Sequence, residues 1–255
     1  MNLGIKGKNV LVTGATEGFG RALAMVLAEE GANLMIHDID RGENREKLAA
    51  LCEEIAAAHG VRAEYACADL SDPDAAKSLF DDVNARMPLD LLVNNAAIWL
   101  TAYVRDMTVA DFHRTMDINI TAPFVLCREM VNSLIERGQR GKIVNMVSQA
   151  AFHGSTSGHA HYAASKAGLV SFSISLAREV APLGINVNCV APGMMRTPMN
   201  RDALAQREDD YLKRIPLGRI ADPREIAYSV AFLLSDKSDY ITGATMDLTG
   251  GMLMR

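Results

Sequence analysis

The chain has 255 residues, 49% of them hydrophobic and 22% charged, which matches an ordinary globular protein and excludes disordered and fibrous classes. Lys and Arg number 26 against 31 Asp and Glu, a net charge of -5 with no basic stripe, so a nucleic-acid partner is not expected. No apolar run reaches the ~20 residues of a membrane span, and residues 1–8 lack the apolar core of a signal peptide. Cys52, Cys67, Cys127 and Cys189 form no CxxC pair, so the expectation is reduced thiols in a cytoplasmic protein with no membrane partner and no metal.

In chain order, residues 8–13 (KNVLVT) read as a buried strand, followed by a glycine turn and an apolar helix closed at Gly31. A second strand is expected at 33–37 and a charged helix at 42–58. A third strand follows at 62–68, then a helix opened by Ser71-Asp72-Pro73, with Asp at the cap and Pro in the first turn. Further strands are expected at 89–94, 142–148, 185–190 and 244–248. Long helices are expected at 110–137, with Pro123 as the candidate break, and at 161–181. This alternation predicts an α/β fold: one Rossmann-type domain over 1–255, a doubly wound seven-stranded parallel sheet with helices on both faces. The strands are apolar on both sides, as covered parallel strands are.

Directly after the first strand stands Thr13-Gly14-Ala15-Thr16-Glu17-Gly18-Phe19-Gly20. Glycines there let backbone N–H groups approach a pyrophosphate at a helix N-terminus, although the cluster alone equally suits a plain tight turn. Asp38, at the end of the second strand, is placed to accept hydrogen bonds from an adenosine ribose diol. A 2′-phosphate would meet the charge of Asp38 and, unless it faces solvent, of Glu17. Arg41 is the nearest compensating base, so NAD is expected over NADP.

Tyr162 and Lys166 lie four residues apart on one helix face, and no other tyrosine has Lys four residues on. A phenol titrates near 10, too high for acid–base work at neutral pH. A neighbouring ammonium would favour the phenolate and lower that value. Ser148, read as the end of the fifth strand, is placed to donate to the same substrate oxygen.

Taken together these residues resemble the short-chain dehydrogenase/reductases along nearly the whole chain. The glycine loop matches Thr13 to Gly20, and the acid beside adenine matches Asp69 of Ala68-Asp69-Leu70. The NNAG motif appears as Asn94-Asn95-Ala96-Ala97, with Ala97 in place of the usual Gly. The family Asn matches Asn119, and the PG motif matches Pro192-Gly193, with Thr197 four residues after that glycine. The resemblance implies catalytic roles for Asn119, Ser148, Tyr162 and Lys166, with Tyr162 as acid/base, Lys166 on the nicotinamide ribose, and Asn119 in a water-linked proton relay. It implies a cofactor site of Gly14, Thr16, Glu17, Gly18, Phe19, Gly20, Asp38, Ile39, Asp69, Leu70, Asn95, Ala96, Ala97, Tyr162, Lys166, Pro192, Gly193, Met195 and Thr197. It also implies a homotetramer.

Three segments are expected to line the substrate end: 97–103, 149–161 and a loop over 194–214 that closes as a lid. Trp99, Ser148, Gln149, Phe152, His159, Met194 and Met199 are the candidate contacts. Ile98 and Met195 extend the apolar wall, and His153 and His161 are further polar candidates. The methionines equally suit core filling. The leading expectation is interconversion of a secondary alcohol and a ketone. Open beside it are a polyol dehydrogenase, a 3-oxoacyl-thioester (acyl-carrier-protein) reductase and a non-catalytic NAD(H)-binding sensor.

Overall fold

In the first strand, β1 (Asn9–Thr13), Val10 and Val12 enter one apolar cluster and Leu11 enters another. Side chains of a strand alternate between faces, so this split means that both sides of the sheet are covered. The computed structural model describes residues 2–155 and 157–255. Met1 and Thr156, the latter within the expected pocket segment 149–161, lie outside the described residues.

β1 pairs with β2 (Asn33–Asp38) on one side and β4 (Leu91–Asn94) on the other. The remaining strands are β3 (Ala63–Cys67), β5 (Gly141–Met146), β6 (Ile185–Pro192) and β7 (Thr245–Leu248). All pairings are parallel, in the order β3-β2-β1-β4-β5-β6-β7. The chain order reverses between β1 and β4, which opens a crevice at their carboxyl ends.

Helices α1 (Gly18–Glu29), α2 (Asn44–His59) and α9 (Pro223–Leu234) cover the Val10 face. The Leu11 face is covered by α3 (Pro73–Arg86), α5 (Ala122–Glu136) and α7 (Ala160–Val180). In α2 the buried residues are Leu48, Leu51, Cys52 and Ile55, the one-sided spacing of an amphipathic helix. α3 begins where the sequence predicts: Asp72 caps it, its Oδ1 accepting from the Asp74 N–H at 2.9 Å, and Pro73 occupies the first turn. No helix of the described residues is long and apolar enough to cross a membrane.

Three expectations need correction. The long helix over 110–137 is not broken by Pro123; α4 (Val109–Met116) runs into a π-helical turn (Asp117–Thr121), and Pro123 sits in the first turn of α5. Strand β5 stops at Met146, so Ser148 stands two residues past its end. Residues 194–214 are largely helical rather than a loop: α8 (Arg201–Arg214) bends at Arg207, whose backbone leaves the helical region at φ -141°. The short α6 (Ala150–His153) and α9 were not foreseen. α9 carries a reciprocal cap: Asp222 Oδ1 accepts from the Arg224 N–H at 2.8 Å, and Glu225 Oε2 from the Asp222 N–H at 3.0 Å.

Candidate active site

A cleft of about 480 Å³ opens at the carboxyl edge of the sheet, within the usual range for small-molecule sites. Its floor is the glycine loop. A side-chain carbon on Gly20 would come within 2.0 Å of the Gly14 carbonyl oxygen, so only glycine lets α1 start this close to the end of β1. Asn95 braces the loop from β4. Its Nδ2 donates to the carbonyls of Thr13 and Gly14, both at 2.9 Å, while the Thr13 hydroxyl accepts from the N–H groups of Asn95 and Ala96 at 3.0 Å. The Asn95 amide hydrogens are thus spent on the loop.

Asp38 closes the far end of β2. Its Oδ2 accepts from the Thr16 hydroxyl at 2.5 Å and the Thr16 N–H at 3.1 Å, and its Oδ1 from the Ile39 N–H at 2.8 Å. Beyond it, Asp69 Oδ1 accepts from the Ser71 N–H and hydroxyl at 2.9 and 2.8 Å. These bonds hold its carboxyl below the ordinary carboxylate value.

Tyr162 and Lys166 project from the first turns of α7. That helix is tied to the sheet by a buried ladder: Asn94 Nδ2 donates to Asn145 Oδ1 at 2.7 Å, and Asn145 Nδ2 to Ser173 Oγ at 2.8 Å. These buried bonds favour one helix position over others, although the Asn94 Oδ1 at the end of the ladder has no partner among the described residues. Lys166 is 2% exposed, and its Nζ donates to the Met146 carbonyl at 2.9 Å, where β5 ends. The same Nζ lies 5.7 Å from the centroid of the Tyr162 ring. Burial pushes the lysine down to about 8. Burial also pushes the Tyr162 phenol above its ordinary value, with the Ser148 hydroxyl pulling the other way. The expectation that Lys166 lowers the phenol is therefore corrected: at the phenol, loss of hydration outweighs the Ser148 hydrogen bond, and burial lowers Lys166 itself.

Of the expected cofactor residues, all but Thr16 border the cleft; Thr16 is buried behind Asp38, whose carboxylate it holds. Ser148, Tyr162 and Lys166 border it too. Asn119 does not. It is fully buried in the π-helical turn, its Oδ1 accepting from the Ile98 N–H at 2.9 Å and its Nδ2 donating to the Ile98 carbonyl and to Ser165 Oγ, both at 3.1 Å. With both amide hydrogens committed, its side chain cannot donate in a water-linked relay. It positions the Ile98 backbone, which does border the cleft.

At the substrate end Trp99, Gln149, His159, Met194 and Met199 border the cleft, as do Ile98, Met195 and His153. Phe152 does not: the Arg255 guanidinium stacks 3.5 Å above its ring, and the residue packs into a separate apolar cluster. His161 is 1% exposed and also misses the cleft.

The sequence matches, over residues 14–253, the family model described as enoyl-(acyl carrier protein) reductase. It is 36% identical over 253 residues to the 3-oxoacyl-[acyl-carrier-protein] reductase FabG of Aquifex aeolicus, covering 99% of this chain and 100% of that protein. Among solved structures it is similar to a short-chain dehydrogenase/reductase named for glucose/ribitol dehydrogenase from Brucella melitensis, with a TM-score of 0.90, 34% identity and 100% of both chains covered. It is also similar to an NADP-bound 3-oxoacyl (acyl-carrier-protein) reductase from Agrobacterium tumefaciens C58, with a TM-score of 0.88, 29% identity, and 97% and 95% of the two chains covered.

The chain is a short-chain dehydrogenase/reductase. As a member of that family of oxidoreductases, this short-chain dehydrogenase/reductase adds bordering residues that sequence reasoning missed. Arg114 from α4 reaches the Asp69 end of the cleft, where it and Arg41 pull weakly on that carboxyl. Met252, Asn200, Tyr211 and Arg214 border the substrate end. Asn200, Tyr211 and Arg214 fall within the segment 194–214 expected to line the substrate end, but nothing in it singled them out. No motif marked Met252, which reaches the cleft from the chain's C-terminal turn and accepts from Gln149 Nε2 at 3.3 Å.

Proposed function

We propose that the protein is an NAD(H)-dependent oxidoreductase that interconverts a secondary alcohol and a ketone. The observation that carries this reading is that Tyr162, Lys166 and Ser148 border the same cleft as the glycine loop and Asp38. The glycine cradle fits a dinucleotide: Gly20 lets α1 begin directly against the end of β1, and Gly14, Gly18 and Gly20 border the cleft at that helix N-terminus, where a pyrophosphate would be held. Gly14, Gly18 and Gly20 would lie under the phosphates, Asp38 would hold the adenosine ribose, Asp69 and Leu70 the adenine, and Pro192, Gly193 and Thr197 the nicotinamide end. The bound dinucleotide supplies the hydride chemistry.

In this reading the Tyr162 hydroxyl gives a proton to the carbonyl oxygen during reduction and takes it from the alcohol during oxidation. Ser148 donates to the same oxygen and orients it. Lys166, anchored on the Met146 carbonyl, supplies positive charge below its pKa of about 8 and holds the ribose beside Tyr162. Asn119 acts through the Ile98 backbone. Its own carbonyl has no helical donor four residues on, because that residue is Pro123, which has no N–H. A relay water would be taken by this carbonyl rather than by the amide.

NAD is the proposed cofactor because a 2′-phosphate would be set against the Asp38 carboxylate. The second reading is a 3-oxoacyl-thioester reductase, favoured by the names of the relatives; NADP or NADPH bound to four structural neighbours runs against the choice of NAD. A homotetramer is proposed as well. Val109, Phe112 and Phe124 on α4 and α5 are exposed apolar side chains, which supports an interface there. Cytoplasmic location belongs to the same reading, supported by four unpaired thiols.

The test is a panel of secondary alcohols, polyols and 3-hydroxyacyl thioesters, each with NAD and with NADP, followed by nicotinamide absorbance. Turnover with NAD at higher kcat/KM than with NADP supports the reading. Turnover of thioesters alone, with NADP, replaces it with the second. No turnover of any compound leaves the binding sensor.

A further inference from the structure

His159 stands at the N-cap of α7, one turn before Tyr162, and borders the same cleft. Its ring is held on two sides. It stacks on the Trp99 ring with centroids 4.3 Å apart and planes 26° from parallel, and its Nδ1 lies 2.8 Å from the Leu100 carbonyl oxygen. A carbonyl only accepts, so Nδ1 must carry the hydrogen. In the neutral ring Nε2 then carries the lone pair. Burial, with the residue 5% exposed, favours that neutral form and lowers the imidazole below its ordinary value, the Leu100 carbonyl partly opposing this. Among the described residues Nε2 has no hydrogen-bond partner. The result is a fixed acceptor at the border of the cleft.

A second acceptor stands nearby. Gln149 follows Ser148, and its Oε1 is buried with no partner among the described residues, while its Nε2 has only the Met252 sulfur. The hydroxyls of Ser148 and Tyr162 are both assigned to the reacting oxygen, so these two acceptors remain for the rest of the substrate. A ketone oxygen, ester or thioester offers them nothing to accept. A hydroxyl does.

We propose that His159 selects substrates bearing a second hydroxyl beside the reacting carbon, so that this enzyme takes vicinal diols and polyols, or the matching hydroxyketones, in preference to simple alcohols and acyl thioesters. The inference rests on the secondary-alcohol reading of the same site. The i to i+3 separation of His159 from Tyr162, roughly 5–6 Å on a helix, fits a hydroxyl one or two carbons from the reacting one.

The test compares kcat/KM for cyclohexane-1,2-diol with cyclohexanol, and for butane-2,3-diol with butan-2-ol, with S-(3-hydroxybutyryl)-N-acetylcysteamine as a thioester arm. In the native enzyme each diol is expected to exceed its mono-alcohol by about tenfold or more, the cost of stranding a desolvated acceptor. In His159→Phe, which keeps an aromatic ring against Trp99, that ratio is expected to fall to within about twofold. In His159→Gln, which can still accept, part of it is expected to return. A merely structural role would lower both rates and leave the ratio intact. An unchanged ratio in His159→Phe, or in His159→Leu should the first variant not fold, overturns the proposal, since neither side chain can accept. So does a native enzyme that prefers the mono-alcohols or the thioester. No turnover of any compound would instead remove the oxidoreductase reading itself.

Discussion

The carboxylate of Asp38 accepts two hydrogen bonds from Thr16, one from its hydroxyl at 2.5 Å and one from its backbone N–H at 3.1 Å. Thr16 belongs to the glycine loop and Asp38 ends the neighbouring strand, so the pair locks the loop to the residue expected to choose the cofactor. The lock sets the carboxylate in one place. A 2′-phosphate would meet it as a fixed charge rather than a mobile one.

Removing the charge should relax the choice. Glu17→Arg with Asp38→Ser is expected to move the kcat/KM ratio of NAD to NADP by tenfold or more toward NADP, about 1.4 kcal/mol or more. Steady-state rates with both cofactors check it, and an unchanged ratio would contradict the charge argument.

The glycine floor makes a steric prediction. Gly20→Ala places a methyl 2.0 Å from the Gly14 oxygen and 2.8 Å from Asn95 Nδ2. Both contacts are rigid, so α1 or the Asn95 brace must shift. Stability should fall by about 1–3 kcal/mol, and NADH affinity should fall with it. Urea unfolding and NADH fluorescence titration measure the two; a variant with native values for both would show that the close approach is dispensable.

Lys166 couples folding to pH. Its ordinary value is 10.5 and the folded value is about 8, lowered by burial. Between those values the unfolded chain binds more protons than the folded one, so stability rises with pH across that window. The contribution is complete above 10.5 and is lost as pH falls through 8. Its full size is ~3 kcal/mol. Urea unfolding of the native protein and of Lys166→Met between pH 7.5 and 10 should show the native slope steeper by this contribution, and parallel slopes would contradict a buried, neutralised lysine.

Much of this architecture can be read from local chemistry. Strands and helices whose pattern is carried by their own residues, such as the alternating Val10, Leu11 and Val12 or the Asp72-Pro73 cap, lie within a residue or two of where the pattern puts them. The cleft residues that belong to motifs came together for the same reason. Asn119 shows the limit: its spacing marks it, but only the bonds to Ile98 and Ser165 reveal that its side chain faces the core. Phe152 is similar: away from the cleft it packs on a separate apolar cluster and under Arg255, contacts distant in sequence. α8 takes up most of the loop expected at 194–214; its residues are mostly polar and it buries only Leu204, leaving little apolar pattern to mark it. Met252 and Arg114 reach the site through tertiary packing alone, which no local pattern encodes.

The account depends on the Tyr162 hydroxyl as the group that exchanges a proton with the substrate oxygen. Tyr162→Phe removes that single oxygen and leaves the ring and the Lys166 anchor on Met146 in place. The decisive measurement is the turnover of this variant on an active alcohol, alongside its NADH dissociation constant. The account predicts a loss of at least about a hundredfold in kcat with NADH binding within about threefold of native. A variant that keeps kcat within tenfold would contradict it.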